Sequence, residues 1–414
     1  MATIRYTKAG GGRADGSNWA DAKPLAALDQ DLRRAAAADS FLLGFDRDRE
    51  DPVFWSQIGI VLNRPGAAQR PIRLAVGYVG HQDDVQPIEP QSASTCFINS
   101  AISPLKRAGP AMTGEPYLKF SNAAGFIDVA GFTVRGAPND GFIRFDQAAS
   151  PYSQVSLRGI HAERVGRVIE TLRGARLSNV VIENCSAFAV ARGFARFRSI
   201  ENSILRNIVA DGGGLDGTGE NVCQMLAFET ASNITLDSVF LNNAVNMSGA
   251  GEGKRSNYVQ GDGIVCERET SDFTFRNCHV SAMGDGGFDL KTRNVTMEDC
   301  SALRCKFGLR IWSDGTNVVR RTAIHSPRPA GPNHGACVWF AGKADLIDCD
   351  LQAGAYSAVF QSGEGGSGAP KLRLFGGSIR TDGNFPMLVG SGGGVVELND
   401  VAVNGEMRTA TLKL

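Results

Sequence analysis

"GDGIVCERETSDFTFRNCHVSAMGDGGFDLKTRNVTMEDCSALRCKFGLRIW", residues 261–312, brings a short apolar, cysteine-containing segment round three times. Acidic residues stand at its margins: Asp262, Glu267, Asp285 and Asp289. Aligned outward from this stretch, "SDFTFRNCHV", "RNVTMEDCSA", "TNVVRRTAIH", "KADLIDCDLQ", "PKLRLFGGSI" and "GVVELNDVAV" share one pattern. Each is a short alternating run rich in β-branched residues, entered through a polar or glycine turn, and so reads as a strand. A second short strand lies between successive copies: "GIVCER", "GFDLKT", "GLRIWS", "CVWFAG", "AVFQSG". The copies recur every ~22 to 27 residues, a spacing found in stacked repeats. Weaker copies run back through "NVVIENCSA" to "FIDVAGFTV", near residue 126.

Units this short cannot bury their own apolar face and must stack on one another. Helical periodicity is nearly absent from the repeats, which excludes helical arrays and leaves an all-β, right-handed parallel β-helix over residues 120–414. Residues 1–119 then form N-terminal lead-in strands and a helical cap, continuous with the stack as one elongated domain. In "ADAKPLAALDQDLRRAAAADSFLLGF", Leu25, Leu28 and Leu32 fall at helical spacing and predict the capping helix.

Composition narrows the function. Lys plus Arg and Asp plus Glu each total 43 in 414 residues, so the basic excess of a nucleic-acid binder is missing. No apolar run is long enough to span a bilayer. The opening "MATIRYTKAGGG" has no apolar signal core, which points to a secreted or periplasmic protein in mature or trimmed form, or to a cytoplasmic one. Cys185, Cys278, Cys300 and Cys349 occupy one fixed place in the repeat, without a C-x-x-C pair. They read as small buried hydrophobes of an internal stack. Asn233, Asn246 and Asn294 match glycosylation sequons but fall where the repeat favours asparagine at turns.

Strand alternation sorts the outward side chains. If Ile264 and Cys266 point inward, Val265 and Glu267 point out. Asp289 and Lys291 follow one rung on, then Arg310 and Trp312. Val265, Asp289 and Arg310 form one predicted column; Glu267, Lys291 and Trp312 form the next. Asp262 and Asp285 sit at the turns feeding these strands. Charged outward residues and Asp-Gly turns are ordinary in a soluble repeat protein. Here, however, they cluster on neighbouring rungs beside an exposed Trp312, which suits stacking on a sugar ring. Glycine-rich inserts, "ADGGGLDGTGE", "NMSGAGEGKRSNY" and "HSPRPAGPNHG", would wall a groove over them. Lys254, Arg255 and His334 lie on these inserts as candidate substrate-binding residues, with Glu267 and Trp312.

The segment resembles the family-9 pectate lyases, whose repeats carry an Asp-Gly turn, then a D-D-G-aromatic-D-L segment, then a G-F-K-L strand. "GDGI" matches the first, "GDGGFDL" the second and "FGLRI" the third. The resemblance implies a calcium site at Asp262, Asp285 and Asp289 and a catalytic base at Arg310, where the family has lysine. Gly286 stands in place of the second aspartate of the pair, so the implied calcium site is weak. Calcium prefers such carboxylate oxygens. Over a uronate carboxylate it would acidify the adjacent ring proton, which a base removes in β-elimination. Arginine holds its proton tightly. Lys291, whose pKa shifts readily when desolvated, is the alternative base. The implied partner is an acidic polysaccharide or oligosaccharide; oligomeric state is not legible.

Two other readings stand beside this one. A polygalacturonase-like inverting hydrolase would divide acid and base roles between Asp262 and Asp285. A non-catalytic carbohydrate-binding β-helix is equally compatible with the fold.

Overall fold

Asn277, Asp299, Arg321 and Asp348 all hold left-handed backbone, with φ between +44° and +55°. They recur at one place in successive repeats and turn the chain through a corner. Asp272 and Asn294 mark another corner at φ near +60°, and Ala282 and Arg304 a third. Asparagine and aspartate tolerate this conformation better than other L-residues because their short polar side chains bond locally. The repeat's polar turns therefore encode corners.

In a computed structural model, the chain is described at residues 2–7, 10–45, 60–67, 70–78, 96–99, 116–122, 125–213, 222–245, 259–325, 327, 335–365, 369–382 and 385–414. These residues are nearly all β, with parallel strands and one short helix. They divide into two compact units: Met1–Ala191 with Arg198–Val209, and Arg192–Phe197 with Ala210–Leu414.

In the second unit each repeat supplies three strands, not the two predicted. The corner at Asp299 splits "RNVTMEDCSA" into Arg293–Glu298 and Ser301–Leu303, and Phe307–Ile311 follows. Every strand pairs in parallel with its counterpart one repeat on. One column runs Asp262–Arg276, Arg293–Glu298, Asn317–Arg320, Lys343–Ile347, Lys371–Phe375 and Val395–Val403. A second runs His279–Ser281, Ser301–Leu303, Ala323–His325, Asp350–Gln352 and Ser378–Arg380. The third runs from Ile264–Cys266 through Gly286–Leu290, Phe307–Ile311, Ala336–Phe340 and Ala358–Ser362 to Leu388–Gly390. Alternation does the rest: Val295 and Met297, Leu309 and Ile311, Val338 and Phe340 are all buried. Eight of the nine cysteines, those whose side chains are described, are buried and free of disulfides. Cys278 and Cys300 stack on adjacent rungs, with the Cys278 amide donating to Cys300 Sγ at 3.4 Å.

In the first unit parallel pairing starts at Thr3–Thr7 and passes through Ser40–Phe45, Ile72–Tyr78, Ile127–Ala130 and Val155–Arg158 to Val181–Phe188. The predicted helix is present but short: a 3-10 turn, Leu25–Ala27, leads into Leu28–Leu32. Leu25, Leu28 and Leu32 are its buried face, as their spacing predicts.

At the C-terminus Glu406–Lys413 folds back antiparallel on Val395–Val403. The turn is Asn404-Gly405, with φ of +49° and +89°, the left-handed pair that a two-residue hairpin demands. An antiparallel strand in that place blocks further parallel stacking on the edge it occupies.

Candidate functional site

The third column of the second unit carries the cluster. Val265 pairs with Asp289, Asp289 with Arg310, and Arg310 with Trp339. Outward side chains along this ladder therefore stand one strand spacing apart, under ~5 Å. Asp262 opens the first strand, Asp285 precedes the second, and Lys291 and Trp312 follow the second and third.

The three aspartates lie beneath this surface: Asp262 and Asp285 are 7% exposed and Asp289 5%. Carboxylates out of water need partners. The Gly286 amide donates to Asp262 Oδ1 at 2.8 Å. Arg310 Nη1 donates to Asp285 Oδ2 at 3.0 Å and lies 3.6 Å from Asp289 Oδ2. The Trp312 indole donates to Asp289 Oδ1 at 2.6 Å. Lys291 Nζ donates to both oxygens of Glu267, at 3.0 and 2.9 Å, and stands 3.6 Å from Asp289.

Two protonation states follow from this arrangement. Burial pushes the Asp262 carboxyl up to about 7, and the charges of Asp285 and Asp289 push the same way; Arg310 and the Gly286 amide only partly offset them. For Lys291, burial favours losing the proton, but Asp289 and Glu267 outweigh it and the ammonium is held more tightly than usual. Desolvation does not make Lys291 a ready base here.

Gly286 explains how the carboxylates come so near. A Cβ at that position would stand 3.0 Å from Asp262 Oδ1 and 3.2 Å from the Asp289 Cβ. A second aspartate there would require the cluster to open.

For calcium, the donor kind fits: hard carboxylate oxygens whose mutual repulsion is visible at Asp262. The grouping as it stands does not make a finished site. Among the described residues no three acidic, histidine or cysteine side chains gather closely enough to hold a metal. Arg310 and Lys291 bring positive charge to Asp285 and Asp289 instead.

Trp312 is half-buried, and its ring lies 4.1 Å from that of Trp339, centroid to centroid. Arg268 and Lys291 each lie 6.0 Å from the Trp312 ring centre. Phe307 faces the Arg310 guanidinium at 4.5 Å. Trp339 and Phe307 were not among the predicted site residues. Alternation contained the signal for Trp339: with Val338 and Phe340 inward, Trp339 must follow Arg310 on the outer ladder. Lys254, Arg255 and His334 lie outside the described residues, as does most of the three predicted inserts. Among the described residues no helix is long and apolar enough to cross a membrane.

Several solved structures are similar in chain course. An alginate lyase from Paenibacillus sp. matches over 96% of this chain and 99% of its own, at 13% identity and a TM-score of 0.40. A lacto-N-biosidase from Eubacterium ramulus matches over 96% of this chain and 68% of its own, at 11% identity and a TM-score of 0.48. Pectate lyase Pel9A matches over 99% and 82%, at 12% identity and a TM-score of 0.33. No protein-family model matches the sequence, and no curated protein is similar to it in sequence.

Proposed function

We propose that the protein is a right-handed parallel β-helix that cleaves a uronate-containing polysaccharide by β-elimination on the face bearing Asp289, Arg310 and Lys291. The observation that carries this reading is the ladder itself. Two cations are held over buried carboxylates beside a tryptophan pair, within three consecutive strands. A uronate carboxylate would take its countercharge from Lys291 and Arg310, while Trp312 offers an apolar surface to a sugar ring.

Removal of the ring proton needs a base. Lys291 is held charged by Asp289 and Glu267, which suits binding better than proton abstraction. Arg310 keeps the role on position, at the place of the family's lysine. Its guanidinium would have to be desolvated by the covering saccharide before it could release a proton. Calcium belongs to the proposal as a weak ligand of Asp262, Asp285 and Asp289, competing with Arg310 for Asp285. When bound it would supply positive charge to a uronate carboxylate.

One observation favours a second reading. A carboxyl poised near neutral pH, as Asp262 is, is what hydrolysis requires of its general acid. With Asp285 as base, the same face would act as an inverting hydrolase.

The test is a panel of acidic polysaccharides with and without calcium, following ultraviolet absorbance of unsaturated uronate alongside new reducing ends. Absorbance with reducing ends is expected. Reducing ends alone would replace the lyase by the hydrolase, and binding without turnover would leave a binding module.

A further inference from the structure

A cavity of about 290 Å³ opens on the first column of the second unit, and none of its lining residues belongs to the carboxylate cluster. Its floor is the turn Asp314 to Asn317, which leaves Trp312 and begins the next strand. Its walls are Lys343, Lys371, Arg373 and Asp345, from two successive strands.

Three cations, Lys343, Lys371 and Arg373, and two carboxylates, Asp314 and Asp345, line this cavity. Lys343 and Lys371 are Cα partners on adjacent parallel strands, so their outward side chains stand in one column. Like charges placed opposite each other across strands are destabilising. Lys371 Nζ reaches Glu397 at 2.7 Å, and Arg373 makes a two-bond pair with Asp345 at 2.7 and 2.6 Å. The exposed Lys343 ammonium has no carboxylate partner among the described residues. Its backbone is fixed nonetheless: the Lys343 carbonyl accepts from Asn317 Nδ2 at 2.8 Å, which ties floor to wall. A cavity near the lower end of the ~300–1,000 Å³ range of ligand pockets has room for one sugar ring, not a chain.

We infer that this cavity is an accessory subsite for a single anionic sugar residue, a uronate whose carboxylate is bound by Lys343 and Lys371 and whose hydroxyls meet Thr316 and Asp345. The ligand class rests on the lyase reading above; the site and its charge do not. The subsite would hold an acidic chain away from the point of cleavage and raise affinity for long substrates over short ones.

The test uses D-galacturonate as probe, by saturation-transfer NMR on full-length protein. The Arg310→Gln background also carries Lys291→Gln, which removes both cations that would hold a carboxylate at the candidate catalytic face. Binding is expected in this background and should weaken by about five- to tenfold on adding Lys343→Ala, roughly the worth of one charge-assisted hydrogen bond at a partly exposed site. Lys343→Arg should retain it. Lys343 is exposed and pairs with no carboxylate among the described residues, so its removal is expected to leave the fold intact. Equal binding with and without Lys343→Ala would overturn the subsite. So would equal binding of neutral D-galactose, or displacement by inorganic sulfate as strong as by galacturonate, which would mark a plain anion site. Turnover of acidic polysaccharide by wild-type protein with no galacturonate binding in the Arg310→Gln, Lys291→Gln protein would sink the subsite and leave the lyase standing. Binding without any turnover would do the reverse.

Discussion

Asp262 is a buried acid that gains a proton on folding. Its carboxyl is raised to about 7 in the folded protein, against an ordinary unfolded value of ~3.9. Folding therefore favours the protonated form. The contribution is fully present below the unfolded pKa and is lost as pH rises from about 4 through 7, a penalty on the order of 1–4 kcal/mol at pH 8. Asparagine keeps the oxygen that accepts from Gly286 and removes the charge. Asp262→Asn should melt above wild type at pH 8, and the gap should narrow towards pH 4; a gap of constant size would refute the assignment. Arg310 is the converse case, a cation pinned at a nearly buried carboxylate. Arg310→Ala should lose turnover and about 3 kcal/mol of stability, because breaking a buried pair exposes its full desolvation cost. Arg310→Lys should recover part of both. Lys291→Ala should weaken substrate binding more than it slows the chemical step. Full activity in both alanine variants would move the active site off this face.

At the scale of elements, strands are made by alternation and corners by left-handed residues. Asn294 stands at φ +59°, and its amide donates to Asp272 Oδ1 at 3.0 Å. Asn294→Val should destabilise by roughly 1–2 kcal/mol, the cost of a β-carbon in that conformation. Asn294→Gly should cost only the two exposed side-chain hydrogen bonds, the one to Asp272 and the one its Oδ1 accepts from the Thr316 amide at 3.4 Å. Urea unfolding of the two variants checks this, and a valine protein as stable as wild type would show that the corner relaxes. These corners were half legible. "NC" and "DC" stand at the same place in the repeat, but the alternation of apolar residues runs on through them, so one predicted strand is in fact two. The hairpin at Asn404-Gly405 carried a plain local signal; its consequence, an antiparallel closing strand, depends on which edge is free to receive it.

At the scale of the whole molecule, the equal count of 43 acidic and 43 basic side chains conceals local imbalance. The carboxylate cluster gathers Asp262, Glu267, Asp285 and Asp289 about Lys291 and Arg310, whereas the second-unit cavity is lined by Lys343, Lys371 and Arg373 with Asp314 and Asp345. Calcium should act on the first. Millimolar calcium is expected to raise the melting temperature of wild type by about 1 °C per kcal/mol of binding energy. It should leave an Asp285→Ala, Asp289→Ala double variant unmoved, and calorimetry should detect weak binding to wild type alone. Equal calcium heats in both proteins would remove the metal from the proposal.

The sequence by itself determined the repeat, the alternation within strands and the column that joins Val265, Asp289 and Arg310, although Val265, predicted to point out, is buried. All of these follow from a period of two residues within strands and a regular spacing between them. The buried cysteine stack and the apolar face of the short helix were legible for the same reason. Only the tertiary structure decided the charge states. Asp262 is raised because stacking buries it, with Asp285 and Asp289 close by, and Lys291 keeps its proton because Asp289 and Glu267 stand beside it. Neither distance is encoded in any local pattern. The close approach at Gly286, the contact of Trp312 with Trp339 and the column that sets Lys343 beside Lys371 are likewise products of stacking. A pattern read along one chain says which residues face out, but the energies of those residues are set by neighbours that stacking brings within a strand spacing.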